Sequence, residues 1–179
     1  PVSQQKKPAA SSEKQGELPQ GHPALGQSGK TALVGAQSDL GGVKVTVPPG
    51  WVGEAPASSM RLAQYRLGGD KAGSDDAILA VFHFGTGQGG SIDANIERWY
   101  GQFTQPDGSD TKKLARRWSE KVGQIEVELV EMSGTFSAGM GVGAQDGPLP
   151  DQAMLGAIAQ APAGLYFFKL TGPAPTVAF

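Results

Sequence analysis

The chain contains no cysteine, which removes disulfide frameworks, thiolate metal sites and cysteine nucleophiles in one step. No apolar run approaches the roughly 18 to 20 residues that a membrane-spanning helix needs. Cationic residues are not in surplus: 15 lysines and arginines stand against 17 acidic residues, the net charge is −2 and the sequence pI is near 5.7. The cations are also scattered, so there is no electrostatic footprint for a phosphate backbone or an anionic lipid surface. Nucleic acid is therefore not an expected partner.

Glycine and proline are abundant, 27 and 13 of 179 residues, and much of that excess sits at the front. Residues 1–38 are mainly Gln, Ser, Pro, Gly, Lys and Ala, without an aromatic side chain. Such a stretch buries too little apolar surface to offset about 1–2 kcal/mol of backbone entropy per ordered residue, and it reads as a flexible tether. A polar leader of this kind commonly follows an export signal or a lipid-anchor site. The expectation is an exported protein, periplasmic or held at a membrane by a lipidated N-terminus upstream of Pro1. His22 has no second histidine or carboxylate cluster beside it, so it reads as part of the leader rather than as a metal ligand.

From residue 39 onward the apolar residues become periodic, mostly with a period of two. Val43, Val45 and Val47 alternate with Lys44 and Thr46 until Pro48-Pro49-Gly50 ends the run, which predicts a strand with one wet face. Met60–Leu67 predicts a second strand, closed by a turn at Gly68-Gly69-Asp70. Ala77–Phe84 is apolar on both sides and predicts the central strand. Ile92, Ile96, Trp99, Tyr100 and Phe103 then form one helical stripe, which predicts an amphipathic helix over Ser91–Phe103 with Ser91 as its cap. Strands are predicted at Lys112–Trp118 and Gln124–Phe136, the latter with either a bulge or a crossing into the core where the apolar phase shifts at Val130 and Met132. A glycine-rich loop at Gly139–Asp151 precedes a closing hairpin of Ala153–Gln160 and Leu165–Thr171.

Two constellations imitate function. Gly85-Thr86-Gly87-Gln88-Gly89-Gly90 satisfies the GxGxxG pattern between an apolar strand and a helix. A dinucleotide site also needs a second parallel strand ending in an acidic residue, and Gln105–Asp110 is a turn instead. An enzyme, or a small-ligand or anion binder, built at this mouth would use His83 with Gly87, Gly89, Gly90 and Ser91. Arg116-Arg117-Trp118 forms a candidate cation–π patch for a partner. Ser133-Gly134-Thr135 lacks a hydrolase elbow. Asp75-Asp76 and Asp107 with Asp110 lack the spacing of a calcium hand, so no metal is expected.

The order of three strands, a glycine-rich turn, an amphipathic helix carrying Arg98-Trp99 and a meander of strands resembles the Mog1 and PsbP-like fold. Val47-Pro48-Pro49-Gly50-Trp51, Met60-Arg61 and Asn95-Ile96 with Arg98-Trp99 are similar to uncharacterised bacterial exported or lipoprotein-type members of that group. The resemblance spans about Leu40 to Gly172. It implies a module without enzymatic activity or cofactor that binds other macromolecules.

The sequence therefore predicts one α+β domain over residues 39–179, an antiparallel sheet of about six to seven strands flanked by an amphipathic helix. Thr176 marks the start of a final helix of which most is missing. One sheet face would then need covering by the 139–151 loop, by a second copy or by a protein partner.

Overall fold

The computed structural model describes residues 37–68, 76–137 and 147–177. The leader up to residue 36, the turn residues Gly69 and Asp70, Asp75, most of the 139–151 loop and Ala178-Phe179 lie outside the described residues.

The alternation in Val43–Val47 holds, with Lys44 and Thr46 exposed and Val43 and Val47 buried, but its place in the fold differs from expectation. Strand β1 (Gln37–Asp39) pairs with β2 (Lys44–Thr46) as a separate two-stranded hairpin, outside the main sheet. The turn between them is held by Asp39 Oδ1, which accepts from Gly41 N at 2.9 Å. Gly41 and Gly42 supply the positive φ angles of 79° and 135° that this reversal requires.

Pro48-Pro49-Gly50 ends the hairpin segment as expected. Instead of a loop, strand β3 (Trp51–Glu54) follows at once. Its three half-buried residues, Trp51, Val52 and Glu54, with one exposed glycine are too short a signal for periodicity to detect. Strand β4 is Ala63–Leu67, shorter than predicted because Met60 and Leu62 are exposed. Strand β5 (Ala77–His83) is interior, and it is followed by helix α1 (Ile92–Tyr100). The helix stops before Phe103, which opens the two-residue strand β6 (Phe103–Thr104) and still reaches the same core.

Lys112–Trp118 is divided rather than wholly extended. Thr111–Leu114 is a helical turn, α2, capped by Asp110, whose Oδ1 accepts from Lys112 N at 3.0 Å. Strand β7 (Arg116–Val122) follows, then β8 (Ile125–Phe136), β9 (Leu149–Ala161), β10 (Gly164–Pro173) and the terminal turn α3 (Ala174–Val177). Strand β9 takes in residues 149–151, which the sequence places in a loop. Helix α3 begins two residues before the anticipated cap at Thr176.

The main sheet has eight antiparallel strands in the order β3-β4-β5-β10-β9-β8, where β7 and β6 share the last edge along different parts of β8. The protein is thus α+β and mostly antiparallel, with β5 and β10 at its centre. No bulge lies at Val130, because the β8–β9 register is continuous from Glu126 to Gly134 and shifts only between Gly134 and Phe136. The phase change marks instead where the strand crosses into the core. Val130 and Met132 lie under α1, whereas Glu128, on the same face, is bound by Arg117 and Ser119 at the sheet edge.

One face of the sheet packs against α1 through Ile96, Trp99 and Tyr100, which meet Val130, Met154, Ile158 and Phe167. The opposite face is covered in two places. The β1–β2 hairpin sets Leu40, Val43 and Val47 against Tyr65, Val81 and Tyr166, while α3 sets Val177 against Ala77, Ala153 and Leu170. Val81 is thus met by the hairpin and Leu170 by α3. Hydrophobic burial of about 25 cal/mol per Å² favours both arrangements.

Candidate functional site

The glycine-rich turn is built as a corner. Gly85, Gly87, Gly89 and Gly90 all have positive φ, between 72° and 89°, and a β-carbon at Gly89 would come within 3.0 Å of the Phe84 and Phe167 rings. Ser91 accepts from Ala94 N at 3.2 Å, as an N-cap should. The buried Asn95 amide donates to Gly89 O and Ser91 O, both at 2.8 Å, and locks the corner to the first turn of α1. Gly89 O and the Ser91 side chain are thus engaged within the protein.

His83 is turned to the other side of the sheet. It sits opposite Tyr166 in the β5–β10 register and stacks on its ring at 4.1 Å, with an 8° tilt. Its Nδ1 lies 3.1 Å from Leu165 O; a carbonyl can only accept, so Nδ1 carries the hydrogen there. Tyr166 Oη in turn donates to Gly41 O at 2.9 Å. His83 therefore belongs to the layer that seats the β1–β2 hairpin, with the sheet between it and α1. Neither cleft described below is lined by His83, Gly87, Gly89, Gly90 or Ser91.

Strand alternation also separates the members of the basic patch. Arg116 and Trp118 share the face opposite α1: the guanidinium lies 4.2 Å from the indole centroid and donates to Glu131 Oε2 at 2.8 Å. Arg117 points the other way, toward the helix, and bridges Glu128 at 2.6 Å and Asp93 at 2.7 Å. Burial works against charge on Glu128, but hydrogen bonds from Ser119 and Arg117 prevail and hold its carboxyl below the usual range. Arg117 thus ties the start of α1 to the sheet edge, while Arg116 remains at the surface.

A cleft of about 430 Å³ opens beside that surface. It lies where β7 has not begun and β6 has ended, so that the β8 edge near Ser133 has no strand beside it. Gln105 Nε2 fills the gap in part by donating to Ser133 O at 2.8 Å and to Thr111 Oγ1 at 3.1 Å. Leu114, Leu155 and Val177 supply apolar walls, and Arg116 with Glu131 supplies a charged rim. Leu114 is 64% exposed, although it is a leucine on a helical turn beside a concave surface. A second, more open hollow of about 520 Å³ lies at the end of α1, between Tyr100 and Lys112.

Among the described residues, no group of three His, Asp or Glu side chains is placed to hold a metal ion, and no helix is long and apolar enough to cross a membrane. Of the predicted patch only Arg116 lines this cleft, whereas Leu114, Leu155, Val177 and Glu131 were not singled out by the sequence. These four come from four separate elements and share no spacing. No family model, curated protein or solved structure matches the chain.

Proposed function

We propose that this protein is a non-catalytic binding or assembly module, carried on a polar leader outside the cytoplasm, which docks a protein partner at the cleft between α2, α3 and the β8 edge. The observation that carries this reading is Leu114, a large apolar side chain held 64% exposed on the rim of a cleft of about 430 Å³. Around it the cleft has the anatomy of a small interface: an apolar centre from Leu155 and Val177, an arginine stacked on a tryptophan, and a polar rim. The resemblance to Mog1 and PsbP-like modules, and the composition of the leader, support the same reading.

The test uses the full chain as bait for chemical crosslinking and capture from its source organism, alongside a Leu114→Asp variant. Because Leu114 is exposed, the variant should fold as the parent does. A partner retained by the parent and lost from the variant supports the assignment. A partner set unchanged by Leu114→Asp would rule out this cleft as the docking site.

A further inference from the structure

Strand β7 is an outer edge of the sheet along its whole length. It pairs with β8 in one unbroken register, from Arg116 opposite Glu131 to Val122 opposite Ile125. Among the described residues no other backbone group pairs with it. Every second N–H and C=O of β7 therefore points away from the sheet. Such an edge templates the addition of another strand unless proline, a bulge or a covering element blocks it. Strand β7 has neither proline nor bulge. By contrast β3, at the far edge, is only four residues long and follows Pro48-Pro49.

What β7 does carry is charge of both signs, and the order of the charges decides which strand fits. Arg116, Trp118, Glu120 and Val122 lie on the face opposite α1, and Arg117, Ser119 and Lys121 on the helix side. A second copy of β7, laid antiparallel about a twofold axis at Ser119, overlaps all seven residues. Trp118 then faces Glu120 of the second copy. Arg116 becomes the diagonal neighbour of that same Glu120, at the roughly 7–8 Å that long side chains bridge. Glu120 accepts from Trp118 Nε1 at 2.9 Å, but among the described residues it has no ion pair of its own. Val122, 63% exposed, comes opposite the aliphatic stem of Arg116.

On the helix side Lys121 of the second copy comes opposite Arg117. Arg117 is already bound to Asp93 and Glu128, and one guanidinium against two carboxylates leaves that trio net negative. Lys121, which has no ion pair among the described residues, therefore meets an opposite charge there. A parallel copy in register would instead set Arg116 on Arg116 and Glu120 on Glu120, so the charges select the antiparallel arrangement. A ladder of this length is smaller than the roughly 1,600 Å² of a standard interface, so the pair dissociates on dilution.

We propose that two copies of this chain join edge to edge through β7, antiparallel about Ser119, into a dimer with one continuous sheet. The contact is made by the edge of the sheet and not by a face. It goes beyond the cleft at Leu114, with which it shares only Arg116.

The test is sedimentation velocity and light scattering of the full chain near pH 7, over concentrations from about 1 μM to 1 mM. The expected result is a mass that doubles as concentration rises. Glu120→Lys sets like charges across the axis twice, as does Arg116→Glu, and each should weaken self-association by about tenfold or more. Both side chains are exposed, so neither substitution touches the core. An equimolar mixture of the two variants should recover the dimer, because each introduced charge then meets its opposite across the axis. Leu114→Asp should dimerise as the parent does, which keeps this contact distinct from the partner cleft. The proposal is overturned if the parent stays monomeric throughout, which leaves the edge to a strand of a different protein. It is overturned as well if both single variants dimerise like the parent, which places the contact elsewhere, or if their mixture stays monomeric.

Discussion

The indole of Trp99 rests on the bare α-carbon of Gly156: a β-carbon there would come within 2.7 Å of Trp99 Cε3 and 3.1 Å of Val130 Cγ1. A glycine in a strand interior weakens the strand, but here it lets the helix approach the sheet closely. Gly156→Ala is expected to destabilise the fold by about 1–3 kcal/mol through overpacking, and Trp99→Ala by about 3–5 kcal/mol through lost transfer energy and the cavity left behind. Once the ring is gone the extra methyl has room, so the double variant should cost less than the sum of the two. Urea unfolding of all four proteins measures this, and strict additivity would mean that the two residues do not constrain each other.

The β1–β2 hairpin moves the functional boundary of the domain. Deleting residues 1–36 should leave the melting temperature within about 5 °C of the parent, because that stretch has few apolar side chains to bury. Deleting through Val47 should be far more damaging. Leu40, Val43 and Val47 are each under 9% exposed against Tyr65, Val81 and Tyr166, and burial of such side chains is worth about 1.5–3 kcal/mol apiece. Thermal melting of the two truncations separates the cases; equal melting points would show that the hairpin adds nothing to the core.

Lys169 predicts an unusual alkaline limb. Its folded pKa, lowered by burial to about 8, lies below the roughly 10.4 of an unfolded lysine, so between these values the unfolded chain binds more protons. Stability must then rise with pH across that window and level off above it. The rise attributable to this residue is about 3 kcal/mol. Denaturant unfolding of the parent and of Lys169→Met between about pH 7.5 and 10.5 isolates it, because other titrations are common to both chains. The parent should gain relative to the variant as pH increases, and parallel curves would show that the lysine is not buried as a cation.

Much of the local structure was legible because it rests on patterns that a few neighbouring residues complete among themselves. The stripe Ile92, Ile96, Trp99 and Tyr100, with Ser91 as cap, yields α1 and its buried face. The two-sided apolar runs at Ala77–His83 and Leu165–Thr171 yield interior strands, and they are neighbours. The glycine-rich corner was legible as a turn too, since four positive φ angles need glycine.

What the sequence by itself determined is therefore where the chain turns, which face of each element is apolar, and that most elements are strands. Pairing was decided only in the tertiary structure, because period-two alternation states which side of a strand is buried but not what covers it. For that reason Val43–Val47 alternates as predicted yet lies across the sheet instead of within it. For the same reason His83 and Ser91, eight positions apart, end on opposite sides of the sheet. The cleft at Leu114 and the setting of Lys169 depend on this same long-range register. Each draws its side chains from several elements, and only the pairing of β10 with β5 and β9 turns an isolated lysine among aromatics into a charge held between Ala80 and Gly156.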